Sequence, residues 1–193
     1  MGKEFELKYA ATAADLAAIQ ATLQGQYTTL RMETTYYDAK DSSLSARKWT
    51  LRRRLENGVS VCTLKTPAQG PGRNEFECIA DSIEAAIPEL CKLCGSEALL
   101  QLSAGGIVTV CGARFSRLAC LLALEDGTAE LALDQGILFG GSRELSFAEV
   151  EVEQKTAGEA ATMAFAQELA HLFGLMPEPK SKFQRGLELS KGV

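Results

Sequence analysis

The 193-residue sequence has very little histidine: one residue, His171, stands against 25 acidic and 20 basic side chains. A multi-histidine metal centre therefore cannot be built, and Ser-His or Cys-His catalysis would rest on that one imidazole. His171 sits in the helical pattern AFAQELAHLFGL beside Leu169, Leu172 and Phe173, where a helix-surface or core-edge histidine is the simpler reading. Long apolar runs are also missing: none reaches the ~18–20 residues of a membrane span. The N-terminal MGKEFELK has no apolar signal core. A cytoplasmic chain with no membrane partner is the expectation. The net charge of −5 leaves no basic footprint for a nucleic-acid partner. No GxxxxGK[ST] phosphate loop, internal repeat or low-complexity tract is present.

Six cysteines are present, but Cys91-Lys-Leu-Cys94 is a single CxxC with neither a second pair nor a nearby histidine. A zinc site would lack half its ligands, so the thiols read as small buried hydrophobes of a reducing compartment.

What the chain does contain is alternation. A single domain over 1–193 is expected, of α+β class. Residues 4–9 alternate as a strand, 13–24 place Leu16, Ile19 and Leu23 at helical spacing after Thr12, and TTLRMETTYYD is a long strand. Two strands joined at Asn57-Gly58 form a hairpin, and RNEFECIA adds another strand. Residues 83–101 read as a helix interrupted early by Pro88. Residues 107–139 read as three strands with a reversal at Asp126-Gly127, and ELSFAEVEVEQK as a fourth. Helices at 158–173 and in KSKFQRGLEL close the chain.

Side chains at i and i+2 of a strand share a face. Glu4, Glu6 and Lys8 thus oppose Phe5, Leu7 and Tyr9; Arg52 and Arg54 oppose Leu51 and Leu55. Thr63 and Lys65 oppose Cys62 and Leu64, while Arg73, Glu75 and Glu77 oppose Phe76 and Cys78. Glu149, Glu151 and Glu153 oppose Val150 and Val152. One such strand would be a wet sheet face. So many of them, with helices available to cover the apolar side, leave an open sheet with a broad charged face or a barrel with a polar interior, and the ordered segregation favours the interior. Buried unpaired charge costs several kcal/mol per group, so an interior of this kind is water-filled, internally paired or completed by a ligand. Arg and Lys want a polyanion; carboxylates want a hard divalent cation. A metal-complexed oligophosphate meets both demands.

The residues then resemble a known family. Glu4-Phe5-Glu6-Leu7-Lys8 is similar to the ExExK motif of the CYTH superfamily, the triphosphate tunnel metalloenzymes. The resemblance extends through Tyr36-Tyr37-Asp38, Leu51-Arg52-Arg53-Arg54, Thr63-Leu64-Lys65, Arg73-Asn74-Glu75-Phe76-Glu77, Leu133-Asp134-Gln135-Gly136, Glu149-Val150-Glu151-Val152-Glu153 and Ser181-Lys182-Phe183-Gln184-Arg185-Gly186. It implies a closed antiparallel β-barrel of about eight strands around a charged tunnel, flanked by helices. It implies that Glu4, Glu6, Asp134, Glu149, Glu151 and Glu153 hold Mg²⁺ or Mn²⁺. Lys8, Arg52, Arg54, Lys65, Arg73, Lys182 and Arg185 would cradle the phosphates. The family commonly shows two basic residues two apart on the sixth strand; here Arg114 and Arg117 are three apart, so a bulge brings both inward or Arg117 serves alone. Lys8, Glu149 and Glu151 are the catalytic candidates, with Glu149 or Glu151 orienting water.

The segments look most like bacterial inorganic triphosphatases, which implies hydrolysis of tripolyphosphate to pyrophosphate and phosphate by a monomer or homodimer. The competing readings are a class IV adenylyl cyclase, a thiamine or nucleoside triphosphatase, and a non-catalytic polyphosphate-binding module. Only Tyr36, Tyr37 and Trp49 stand out as aromatics for a base slot.

Overall fold

The computed structural model describes residues 2–69 and 72–192, with side chains from Phe5 onward. The chain opens with β1 (Gly2–Glu4), β2 (Glu6–Ala10), α1 (Ala13–Thr22) and β3 (Thr28–Ala39). A short helix α2 (Ser43–Ala46) leads to β4 (Thr50–Glu56), β5 (Val59–Pro67) and β6 (Arg73–Ile79). Helices α3 (Ile83–Cys94) and α4 (Ala98–Ser103) precede the long strands β7 (Ile107–Leu124), β8 (Gly127–Gly140) and β9 (Arg143–Gln154). Helix α5 (Glu159–Phe173), the two-residue β10 (Met176–Pro177) and α6 (Lys182–Lys191) complete it.

Local chemistry sets these boundaries. Thr12 caps α1 and Ser181 caps α6, each in a reciprocal capping box with Asp15 or Gln184. Asn57 and Gly58 have φ of 50° and 90°, the left-handed pair that a tight two-residue hairpin requires. Pro88 does not interrupt α3. Its missing N–H removes one bond, while Ile83, Ile87 and Leu90 around it are buried, and the helix runs on to Gly95. Residues 107–139 form two strands rather than three. An irregularity between the Tyr36 and Tyr37 pairs leaves Val110 as an extra residue, which bends β7 without ending it.

The sheet is antiparallel in the order β1-β6-β5-β4-β3-β7-β8-β9-β2-β10. This corrects the expectation of a hydrogen-bonded closed barrel, because among the described residues the order has two ends with no ladder between them. Covalent continuity joins the two sides instead. β1 pairs with β6, and β2, which follows after Phe5, pairs with β9. Residues 2–10 therefore span from one flank of the sheet to the other, and the sheet curls.

Its outer face is apolar and covered. α1 and α5 bury Ile19 and Leu169 against Leu131, Val150 and Val152; α3 and α4 bury Leu90 and Leu99 against Leu51 and Leu64. Each such side chain contributes roughly 1.5–3 kcal/mol of burial, so the outer face commits the sheet to putting its charges inside. Asp38, of the Tyr36-Tyr37-Asp38 segment, is structural: its carboxylate accepts from the backbone N–H of Ala39 (2.8 Å) and Leu44 (3.0 Å), fastening α2. No described helix is long and apolar enough to cross a membrane.

Candidate active site: a charged cavity within the sheet

The inner face encloses a cavity of about 320 Å³ whose lining comes from every strand from β2 to β9 and from α6. Arg52, Arg54, Lys65 and Arg73 reach it from β4, β5 and β6 together with Glu56, Glu75 and Glu77, and Glu6, Glu130, Glu151 and Glu153 reach it from β2, β8 and β9 beside Lys8. Strand register explains the acidic side. Glu130, Glu153 and Glu6 lie directly opposite one another on three neighbouring strands, and the next inward row holds Ala132, Glu151 and Lys8. The row after that holds Arg117, Asp134 and Glu149. Ala132 is small, so Arg117 can extend past it and bond Glu151.

Asp134 and Glu149 do not line the cavity. They are fully buried, behind Lys182 and Arg117. The Lys182 ammonium lies 2.7 Å from Asp134 Oδ2 and 2.9 Å from Glu151 Oε1, and also bonds Glu149. Arg117 holds Asp134 through two bonds of 2.8 Å each, and Arg185 bonds Glu149. Three carboxylates thus meet three cations, and the charge cancels locally. The rings of Phe115 and Phe147 lie 4.9 and 5.4 Å from the ammonium and shield it from water.

Protonation follows from this packing. Burial alone would push Glu151 up, but Lys182 and Arg117 overcome it and hold the carboxyl well below its ordinary range. Glu149 is raised: burial dominates, Lys182 and Arg185 only partly oppose it, and Glu151 adds to the rise. Lys182 and Arg117 are raised despite burial, by Glu151 and Asp134.

The basic side is tied more loosely. Arg52 Nη2 lies 3.2 Å from Glu75 and 3.6 Å from Glu77, and Lys65 Nζ lies 3.2 Å from Glu75. Arg54 is buried, donates to Thr34 Oγ1 at 3.1 Å and meets Glu56 at 3.5 Å. Desolvation and then the nearby Arg52 push its guanidinium down. Arg73 donates to Thr50 Oγ1 (3.1 Å) and to the Lys65 carbonyl (3.2 Å), anchoring the cavity wall. A polyanion would relieve the like-charge crowding of Arg52, Arg54 and Lys65.

Arg114 lies elsewhere. Pairing is regular from Gly112 to Ala119, with the bulge upstream at Val110, so residues three apart point to opposite faces. Its side chain is 60% exposed, pairs with Glu144 at 3.5 Å and lies over Phe139 on the outside. Glu4 has its backbone in β1, and its side chain lies outside the described residues. Lys8, Glu6 and Glu153 reach the cavity. So do Glu130 and Lys155, which the sequence reading passed over. Strand parity held the signal for both: Glu130 shares its face with Asp134, and Lys155 continues the 149, 151, 153 series. Tyr36 also lines the cavity, with its ring 5.3 Å from Phe183, whereas Tyr37 and Trp49 pack into the outer core. His171 is exposed on α5. Cys62 and Cys111 are buried thiols that desolvation pushes up to about 11 and about 12.

Oxygen-only donors suit a hard divalent cation, and the carboxylates of Asp134, Glu149 and Glu151 converge within 4.8 Å. The Lys182 ammonium already bonds all three. The carboxylates of Glu6, Glu130, Glu151 and Glu153 face the cavity itself and fit such an ion in type.

A model of the CYTH domain matches residues 2–187. An inorganic triphosphatase of Haemophilus influenzae is 27% identical over 165 residues, covering 83% of this chain and 46% of that protein, so the chain spans about half the length of this curated relative. A solved protein of Pyrococcus horikoshii OT3 superposes with a TM-score of 0.67 at 19% identity, covering 96% of this chain and 98% of that one. A Hippeastrum protein, named as an adenylyl cyclase and described as revealing a dominant triphosphatase activity, gives 0.67 at 18% identity, covering 100% of this chain and 96% of that one.

Proposed function

The chain belongs to the CYTH domain family, and from that premise we propose that it is a metal-dependent triphosphatase cleaving tripolyphosphate to pyrophosphate and phosphate inside the curled sheet. The observation that carries this reading is one cavity lined by Arg52, Arg54, Lys65 and Arg73 from one stretch of the sheet and by Glu6, Glu130, Glu151 and Glu153 from another. Its volume of about 320 Å³ is near the low end of the roughly 300–1,000 Å³ of small-molecule pockets. That favours a bare triphosphate over a nucleotide; of the three aromatics Tyr37 and Trp49 lie outside the cavity, and Tyr36, which lines it, packs on Phe183.

The roles follow from position. Arg52, Arg54, Lys65 and Lys8 hold phosphate oxygens through charge-assisted bonds, and Arg73 keeps their wall in place. Glu6, Glu130 and Glu153 would hold Mg²⁺ or Mn²⁺ at the cavity surface, with Glu4 proposed as a further ligand. When bound, the ion neutralises phosphate charge as a Lewis acid. Glu151 rather than Glu149 orients the attacking water, because Glu151 reaches the cavity and stays ionised while Glu149 is recessed. The water oxygen bonds to a terminal phosphorus, the bridging P–O bond breaks, and the arginines stabilise the charge of departing pyrophosphate.

Incubating the protein with tripolyphosphate, ATP or thiamine triphosphate in Mg²⁺ or Mn²⁺ tests this. Tripolyphosphate is expected to be the best substrate; cyclic AMP as the dominant product would reject the assignment, and binding without turnover would leave a polyphosphate-binding module.

A further inference from the structure

Lysine is an unexpected residue at the first turn of α6, where the helix dipole disfavours positive charge. Arg185, one turn later, bonds Glu149 as well, so the start of α6 delivers two cations to one acidic cluster. Lys182 is 6% exposed, bonds Asp134, Glu149 and Glu151 together, and rests on Phe115 and Phe147. It is also part of the cavity lining, so an anion in the cavity can reach it. We propose that Lys182 is a built-in counter-ion that competes with divalent metal for the Asp134, Glu149 and Glu151 carboxylates, closing that cluster to metal until a polyphosphate in the cavity draws the ammonium away.

The physical reason is the local charge balance. With Lys182, Arg117 and Arg185 in place the three carboxylates are fully compensated, and a divalent ion entering beside an ammonium meets strong repulsion in a dry site. Once the ammonium turns to phosphate oxygens, the carboxylates lose their central cation, and the vacated position over the Phe115 and Phe147 rings keeps oxygen donors from Asp134, Glu149 and Glu151. Metal and polyphosphate binding are then coupled, each favouring the other. The proposal rests on the metal-dependent reading above, and its test counts bound metal rather than turnover, so the two can fail separately.

Lys182→Met keeps an unbranched side chain and removes the charge. Without any phosphate compound present, the folded variant is expected to bind one Mn²⁺ that the wild type does not, or to bind Mn²⁺ at least about tenfold more tightly, by electron paramagnetic resonance titration. Adding Asp134→Asn is expected to abolish that gain. Equal Mn²⁺ stoichiometry and affinity in folded Lys182→Met and wild type would overturn the proposal. Should the variant not fold, the wild type supplies the readout through the ¹⁵N-lysine ammonium signal of Lys182. That signal is expected to stay unchanged when Mg²⁺ is added alone and to shift when tripolyphosphate follows; displacement by millimolar Mg²⁺ alone would sink the idea.

Discussion

The rings of Phe115 and Phe147 meet edge to face with centroids 5.8 Å apart, although β8 runs between their strands. They can meet because the β8 residue between them is Gly136, which pairs with both. A Cβ there would collide with the Arg114 carbonyl and with Phe115. The same two rings floor the Lys182 ammonium, so a missing methyl group shapes the charged cluster.

Gly136→Ala is therefore expected to cost about 1–3 kcal/mol by overpacking against backbone that cannot yield. A denaturant titration checks the stability, and retention of wild-type stability would show that β8 can shift there. Tripolyphosphatase activity should fall in parallel, since Phe115 and Phe147 would part beneath Lys182.

Glu151→Gln leaves Arg117 and Lys182 short of one negative charge in a buried site. Breaking a buried pair from one side typically costs about 3–5 kcal/mol. A fall in kcat of at least about a hundredfold is expected beside it if the same carboxylate orients water as proposed. Steady-state kinetics at a temperature where the variant is folded separates the two effects.

The pH dependence has a defined sign. Glu151 is depressed in the folded chain, so below the unfolded carboxyl value of about 4.3 the unfolded state binds the proton first and stability falls on acidification. Glu149 is raised and acts oppositely, adding stability as pH falls from its folded value to about 4.3. At the other end Lys182 is raised, so stability falls as pH climbs past about 10.4. Urea melts across pH should show both limbs, and Glu151→Gln should flatten the acid one.

Arg114 and Arg52 make a paired test of the strand parity. Arg114→Ala removes an exposed side chain and should change stability by no more than about 0.5 kcal/mol, with kcat and KM near wild type. Arg52→Ala should raise KM for tripolyphosphate about tenfold or more through loss of a charge-assisted contact. A large kinetic effect of Arg114→Ala would mean that its strand register differs from that described.

Glu130→Gln tests a carboxylate absent from the sequence-based set. Lying opposite Glu153 on the cavity wall, it should raise the Mg²⁺ concentration for half-maximal activity by about 10–100-fold while the fold persists. An unchanged Mg²⁺ dependence would remove Glu130 from the metal set.

Much of this molecule was legible locally. Alternation alone put Arg52, Lys65, Glu75, Glu151 and Glu153 on faces opposite Leu51, Leu64, Phe76, Val150 and Val152, and the outer clusters bear out that division. The Asn57-Gly58 reversal and the Thr12 cap were equally plain, because turns and caps are decided within a few residues. The side taken by Arg114 was not, since it depended on whether the bulge fell before or after it. The reversal between β7 and β8 was marked by Asp126-Gly127, but the continuity of β7 was not legible, because nothing in its apolar run shows that the irregularity at Val110 bends the strand without ending it.

The sequence by itself determined which side chains share a face, because a strand repeats every two residues and that period needs no partner. Only the tertiary structure decided which charges neutralise which. Lys182 meets Asp134, Glu149 and Glu151 across 48, 33 and 31 residues of chain, a meeting set by strand register and by the way α6 enters the curled sheet. Charge pairing is a property of distance in space, and its strength depends on water being excluded. No count along the chain supplies either quantity.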